Sequence, residues 1–336
     1  MKVPDPDRLL GPRPPSPLQE VDDPRFSSRG LRLLLKRDDL VHPELPGNKW
    51  RKLAPNLRIA LREGHHTLLT FGGAYSHHLR ATATAGRLLG LRTVGVVRGD
   101  ELAHRPLNPS LEGCARDGMT LHFVSRSEYR QRHHQDYVHR LRDLFGPFHS
   151  LPEGGSNGPA VHGCHELGRE LLHQCDPPPT VVGVACGTGG TLAGLAAGLA
   201  DLAGPEQSPA EALGFPVLRG GFLGPEVERL QREAFGRVLP HWRLVDGFHC
   251  GGYARTPPEL VEFAEDFAAR HGLPPLERLY VAKLLRGLTT LAERDAFPPG
   301  GRVVAVVTGP GTEHRETLAN HPEQVTRLRP EGSGRP

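Results

Sequence analysis

Val181-Val182-Gly183-Val184-Ala185-Cys186-Gly187-Thr188-Gly189-Gly190-Thr191-Leu192-Ala193-Gly194 is the stretch that decides the fold class. An apolar run of strand length enters a cluster of glycines, and the segment continues to Ala200 without a charged residue. A membrane-spanning helix needs about 20 continuous, strongly apolar residues, and Gly187-Thr188-Gly189-Gly190 interrupts this one. It reads as a buried strand, a tight turn and a small-residue helix, the opening of a parallel βαβ unit.

Working outward, the same alternation recurs. Leu31 to Lys36 is a strand-length run. A helix from Lys49 places Leu53, Leu57, Ala60 and Leu61 on one face and ends at Gly64. Thr67 to Phe71 leads through Gly72-Gly73-Ala74-Tyr75-Ser76 into a helix from about His77 to Leu89, closed by Gly90. Thr93 to Val97, Leu121 to Val124 and Phe145 to Pro152 are further β-rich runs, a helix pattern covers Ala160 to His173, and Arg302 to Val307 is a late strand entering Thr308-Gly309-Pro310-Gly311. The pattern predicts an α/β protein with mostly parallel sheets covered on both faces. A chain of 336 residues corresponds to roughly two domains, at about 100–200 residues each. The Pro-rich start has no apolar stretch that could serve as a signal peptide. Residues 1–25 and 320–336 are expected to be loose.

Composition excludes several function classes. The 41 lysines and arginines are interspersed with 38 acidic residues, giving a net charge of +3 with no basic stripe, and aromatic residues make up 6%. Nucleic acid is therefore not the expected partner. Cys114, Cys164, Cys175, Cys186 and Cys250 are far apart and odd in number, which fits a reducing compartment rather than a disulfide framework. The 19 histidines include the adjacent pairs His65-His66, His77-His78 and His133-His134. Adjacent side chains point apart and no H-E-x-x-H pattern exists, so no metal is expected. The expectation is a soluble, cytoplasmic protein.

Three stretches carry chemistry. In Leu45-Pro46-Gly47-Asn48-Lys49-Trp50-Arg51-Lys52, a breaker pair precedes an Asn able to cap a helix, placing Lys49 in its first turn. The helix dipole disfavours a cation there, and Arg51 and Lys52 add like charge, which lowers the cost of losing its proton. A neutral amine can condense with a carbonyl, although a solvated basic helix start has the same appearance. The loop Gly187 to Thr191 converges backbone N–H groups on a helix N-terminus and adds two hydroxyls, a phosphate cradle or, in isolation, a tight turn. It is not the dinucleotide fingerprint, because Leu192 occupies the third glycine position, and no Gly-Lys-Ser/Thr makes it a P-loop. This strains a nicotinamide-dependent reading. Gly72 to His78 is a second glycine-led helix start suited to a carboxylate, with Ser76 as donor, nucleophile or plain cap. A phosphorylated aldehyde cofactor acting on an amino acid needs these three features together.

At this point the sequence resembles a known family. Lys36-Arg37-Asp38-Asp39-Leu40, Gly47-Asn48-Lys49-Trp50-Arg51-Lys52-Leu53, Phe71-Gly72-Gly73-Ala74-Tyr75-Ser76, Pro152-Glu153-Gly154-Gly155-Ser156-Asn157, Ala185 to Thr191, Gly251-Gly252-Tyr253-Ala254 and Tyr280-Val281-Ala282-Lys283 are similar to the D-cysteine desulfhydrase / 1-aminocyclopropane-1-carboxylate deaminase family. The resemblance implies pyridoxal 5'-phosphate on a tryptophan-synthase β-like fold (PLP fold type II), with two three-layer αβα domains. Residues 1–56 and 160–336 would form the larger, cofactor-binding domain and 57–159 a smaller mobile one. It further implies Lys49 as Schiff-base lysine, Gly187, Thr188, Gly189, Gly190 and Thr191 as phosphate loop, Ser76, Tyr280 and Tyr253 as catalytic residues, and Thr308 facing the pyridine nitrogen. Two positions depart from the pattern. His77 stands where the family has an Asn that bonds the cofactor's 3′-oxygen, and Val281 stands where the deaminases carry a glutamate. The expected function is α,β-elimination from a small amino acid such as D-cysteine, in a homodimer. Cyclopropane deamination is the alternative enzyme reading, and a binding protein with little turnover the non-enzyme one.

Overall fold

The structure is a computed structural model that describes residues 10–11, 13–45, 47–201 and 210–309. Its strands are β1 (Leu18–Val21), β2 (Arg32–Lys36), β3 (Thr67–Gly72), β4 (Arg92–Arg98), β5 (Met119–Val124), β6 (His149–Leu151), β7 (Val181–Cys186), β8 (Glu211–Pro216), β9 (Trp242–Leu244) and β10 (Arg302–Val306). Five helices matter to the site: α1 (Asn48–Arg62), α2 (His77–Leu89), α3 (Gly158–Gln174), α4 (Gly190–Ala200) and α5 (Val281–Glu293).

The strands form two sheets, in the orders β1-β2-β10-β7-β8-β9 and β5-β4-β3-β6. Every described pairing is parallel except β1 with β2, where Leu18 lies opposite Lys36. The central strand β7 explains its own composition. Val182, Val184 and Cys186 join the core on one face with Leu192 and Leu195 of α4. Val181 and Ala185 join the core on the other with Leu284 and Leu288 of α5. With helices on both faces, no position tolerates a polar side chain. Gly183 lets α5 come close, since a Cβ there would lie 3.0 Å from side-chain atoms of both Leu284 and Leu288.

The second sheet is also covered on both faces. Leu69, Phe71, Val94 and Val96 pack with Tyr129 and Tyr137 on one side. Leu79 and Ala83 of α2 pack with Val97, Leu111 and Met119 on the other. The chain leaves the first sheet after β2 and returns at β7, and it crosses within helices α1 and α3. The positions 56/57 and 159/160 therefore fall inside these helices rather than in linkers.

Residues 13–25, expected to be loose, are built in. The β1 backbone pairs with β2, and Ser16 Oγ donates to Asp38 at 2.7 Å while its carbonyl accepts from the buried Lys36 amine at 2.7 Å. Lys36 is fully enclosed and needs that carbonyl beside Glu170, so burial of a charge holds the segment in place. The polar tail from Asn320 lies outside the described residues. No helix among the described residues is long and apolar enough to cross a membrane.

Candidate active site

Lys49 sits in the first turn of α1, whose N-cap is Gly47 at φ 78°. Only glycine fits there, because a Cβ would come within 1.7 Å of the Thr308 carbonyl oxygen. The expected cap is corrected by the geometry. The Asn48 side chain makes no cap bond; its Nδ2 donates 3.0 Å to Thr191 Oγ1, tying α1 to the glycine loop. The expected charge crowding is corrected in part. Arg51 turns away into the buried carboxylates, with Nε 2.8 Å from Asp38 and Nη1 2.8 Å from Glu170. Burial of the amine is the largest cause that lowers the Lys49 pKa to about 7, and the Lys52 charge is the next. Lys49 borders the cavity and keeps part of its surface accessible, yet its amine has no hydrogen bond or ion pair among the described residues. An amine so placed is ready to act as a nucleophile.

A cavity of about 1040 Å³ gathers the other expected residues: Ser76, His77, Gly187, Thr188, Gly189, Thr191, Tyr253, Tyr280 and Thr308 all line it with Lys49. Gly190 is the exception. It opens α4 one layer below the cavity wall, where a Cβ would meet Ser156 Oγ at 2.7 Å and the Lys52 amine at 3.2 Å. Gly189 caps α4 at φ 78°, so the loop turns with no side chain between it and the cavity. Ser76 is the N-cap of α2 and accepts from the Leu79 amide at 3.2 Å. That bond uses a lone pair and leaves the hydroxyl proton for the cavity.

Across the cavity, Tyr253 Oη donates to the Tyr75 carbonyl at 3.0 Å, joining the two sheet systems. The Tyr253 and Tyr280 rings are 5.9 Å apart in an edge-on arrangement. Burial is the main cause that pushes both phenols up, Tyr280 well above the usual range, so each stays protonated. His77 packs its ring 5.6 Å from that of Tyr280, with Nε2 3.9 Å from Glu277 Oε1. Glu277 itself accepts from the amides of Leu279, Tyr280 and Val281, which caps α5 and fixes Tyr280. Val281 is buried in the core beneath.

The sequence reading missed three participants. The Lys52 amine is buried and donates to Ser156 Oγ at 2.9 Å and to the Gly154 carbonyl at 3.3 Å, and no described carboxylate pairs with it. Ser156 Oγ lies 2.6 Å from Thr188 Oγ1, so it connects Lys52 to the glycine loop. His78 is 1% exposed, and neither ring nitrogen has a partner among the described residues. Burial first, then the charges of Lys49 and Lys52, drive its pKa well down, so the ring is neutral. For Lys52 a signal existed: it lies one turn from Lys49, on the same helix face.

The residues fit a phosphorylated aldehyde. Unpaired buried polar groups are costly, and here, among the described residues, the Lys49 amine and both His78 ring nitrogens have no partner, while Lys52 has no carboxylate to balance its charge, beside a glycine-rich turn at a helix N-terminus. The comparisons agree. A model of the family described as pyridoxal-phosphate dependent enzyme matches residues 11–309. A Thermotoga maritima protein named for 1-aminocyclopropane-1-carboxylate deaminase is 32% identical over 282 residues, covering 82% of this chain and 88% of its own. A solved structure of an ACC deaminase homologue aligns with a TM-score of 0.77 at 26% identity, covering 94% of this chain and 99% of that one. A threonine deaminase from Solanum lycopersicum aligns at 0.64 and 17% identity over 96% and 85% of the two chains, a likeness of fold. The architecture is PLP fold type II, and the chain belongs to the family of pyridoxal-phosphate dependent enzymes.

Proposed function

We propose that this protein is a lyase that removes the β-substituent of a small amino acid of the D-cysteine type. Water enters as a reactant, and the products are a 2-oxo acid, ammonia and, from D-cysteine, hydrogen sulfide. The carrying observation is the Lys49 amine, without a partner among the described residues and with its pKa lowered by burial to about 7, in one cavity with the glycine loop, Ser76 and the two tyrosines.

When bound, pyridoxal phosphate supplies an electron sink that lets the substrate's α-proton leave. Lys49 is the residue that would hold the cofactor covalently, and its amine would serve as a base at the α-carbon. Thr188, the loop amides and the Lys52 amine would hold the phosphate. Ser76 and the α2 N-terminus receive the substrate carboxylate. The protonated Tyr280–Tyr253 pair orients the substrate and gives a proton to the departing group. Thr308 lines the cavity with a hydroxyl that would serve the cofactor's ring nitrogen, and Val281, buried beneath, would offer it no carboxylate. A hydroxyl can bond a neutral ring nitrogen, and such a partner would favour expelling a thiol over ring opening.

In this reading residues 1–56 and 160–336 form the larger unit and 57–159 a smaller one that closes on substrate, within a cytoplasmic homodimer. A second reading, 1-aminocyclopropane-1-carboxylate deaminase, is favoured by the name of the Thermotoga relative. The holoenzyme is assayed with D-cysteine, L-cysteine and 1-aminocyclopropane-1-carboxylate, and pyruvate, sulfide and 2-oxobutyrate are measured. Faster sulfide and pyruvate from D-cysteine supports elimination. Faster 2-oxobutyrate replaces it with the deaminase, and a holoprotein that releases no oxo acid leaves the binding-protein reading.

A further inference from the structure

A second cluster lies outside the cavity, at the far end of the helix that begins with Lys49. Glu63 is the C-cap of α1. Gly64 follows at φ 72°, and the His65 amide folds back to the Ala60 carbonyl at 2.9 Å. This turn brings His65 beside His149, the first residue of β6, whose register partner on β3 is Leu68.

Glu63 Oε2 lies 3.4 Å from His65 Nε2 and 3.5 Å from His149 Nδ1, and one ligand atom from each residue falls within 4.8 Å of the others. Both distances are longer than a good hydrogen bond of about 2.7–3.2 Å. They match the ligand-to-ligand edge of a zinc tetrahedron, about 3.3–3.4 Å for bonds of about 2.0–2.1 Å. The chain carries 41 lysines and arginines, yet among the described residues Glu63 pairs with no lysine or arginine. Side-chain exposure rises from 14% at His149 to 28% at His65 and 55% at Glu63, so one side of the cluster is open to water. None of the three residues borders the cavity.

We propose that Glu63, His65 and His149 form a site for a divalent cation of the zinc class, with water as fourth ligand. Two neutral imidazoles and a carboxylate are the donor set that zinc prefers. The cation fastens the C-terminal end of α1 to β6, the strand that leads into the Gly154–Ser156 loop against Lys52 and His78. It acts as a strut between two segments that border the active site, not as a catalytic metal. Adjacent histidines in the sequence do not reveal it, because its ligands come from a helix end and a strand 84 positions further on, by the numbering of His65 and His149.

The test uses chelator-treated holoenzyme titrated with zinc by calorimetry and with cobalt by visible absorption, on the wild type and on His65→Ala, His149→Ala and Glu63→Gln. Circular dichroism in chelator confirms that the variants fold. The expected result is one zinc per chain with a micromolar Kd, cobalt bands of tetrahedral intensity, and an affinity loss of about tenfold or more in each variant. Zinc raises the melting temperature of the wild type only. Undiminished zinc binding in both histidine variants, or no binding at micromolar free zinc in the wild type, overturns the assignment.

Discussion

Asn48 Nδ2 donates to Thr191 Oγ1 at 3.0 Å across 143 positions of sequence, and both side chains are buried. This bond joins the helix that begins with Lys49 to the helix that follows the glycine loop, beside the link from Lys52 through Ser156 to Thr188. The bond therefore contributes to the spacing between the amine and the phosphate cradle.

Asn48→Ala leaves the Thr191 hydroxyl buried without that donor, a loss of about 1–3 kcal/mol. The variant is expected to melt at lower temperature and to lose cofactor faster on dialysis. Unchanged retention would mean that the bond does not set the spacing.

Lys52→Met tests the second lysine, which no described carboxylate balances. A charge-assisted bond is worth about 1.5–3 kcal/mol, so pyridoxal phosphate should bind roughly ten- to a hundredfold more weakly. Pyridoxal without its phosphate should bind about as before. Equal losses for both ligands would assign Lys52 a packing role instead.

The contrast between Asn48 and Lys52 measures how much could be read from the sequence. The strand, glycine turn and helix from Val181 to Ala200 could be read because their period and punctuation are local. Helix α2 from His77 to Leu89, closed by Gly90, was legible for the same reason. The Asn48 side chain misled, since a capping residue and a long-range donor look identical in sequence. Arg51 misled as well, because Asp38 and Glu170, which draw it away, lie 13 and 119 positions off. Ser156 reaches Lys52 across 104 positions, and no local pattern encodes such a meeting.

The Lys49 amine should titrate near pH 7 in the apoprotein instead of near 10.5. Below about 7 it carries a proton and cannot attack; above, it is free. Trace acetylation of the apoprotein across pH, read on the Lys49 peptide, should show reactivity rising to a plateau just above 7. Between about 7 and 10.5 the unfolded chain holds a proton at this site that the folded chain lacks. Lys49 therefore makes apoprotein stability rise with pH over that window. A midpoint near 10 would contradict the burial argument.

Among the described residues, His78 has no partner for either ring nitrogen. His78→Leu removes a buried unsatisfied imidazole, so the apoprotein should gain up to about 1–3 kcal/mol while cofactor affinity falls. Denaturant melts of both forms separate the two effects. A variant destabilised in both would reduce His78 to a packing element.

The central claim, that Lys49 carries the cofactor, is tested most directly by reducing the holoprotein with borohydride and mapping the modified peptide by mass spectrometry. The account predicts a pyridoxyl adduct on Lys49 in the wild type and none in Lys49→Ala. An adduct on Lys52, Lys36 or Lys283, or none on the wild type, would contradict it.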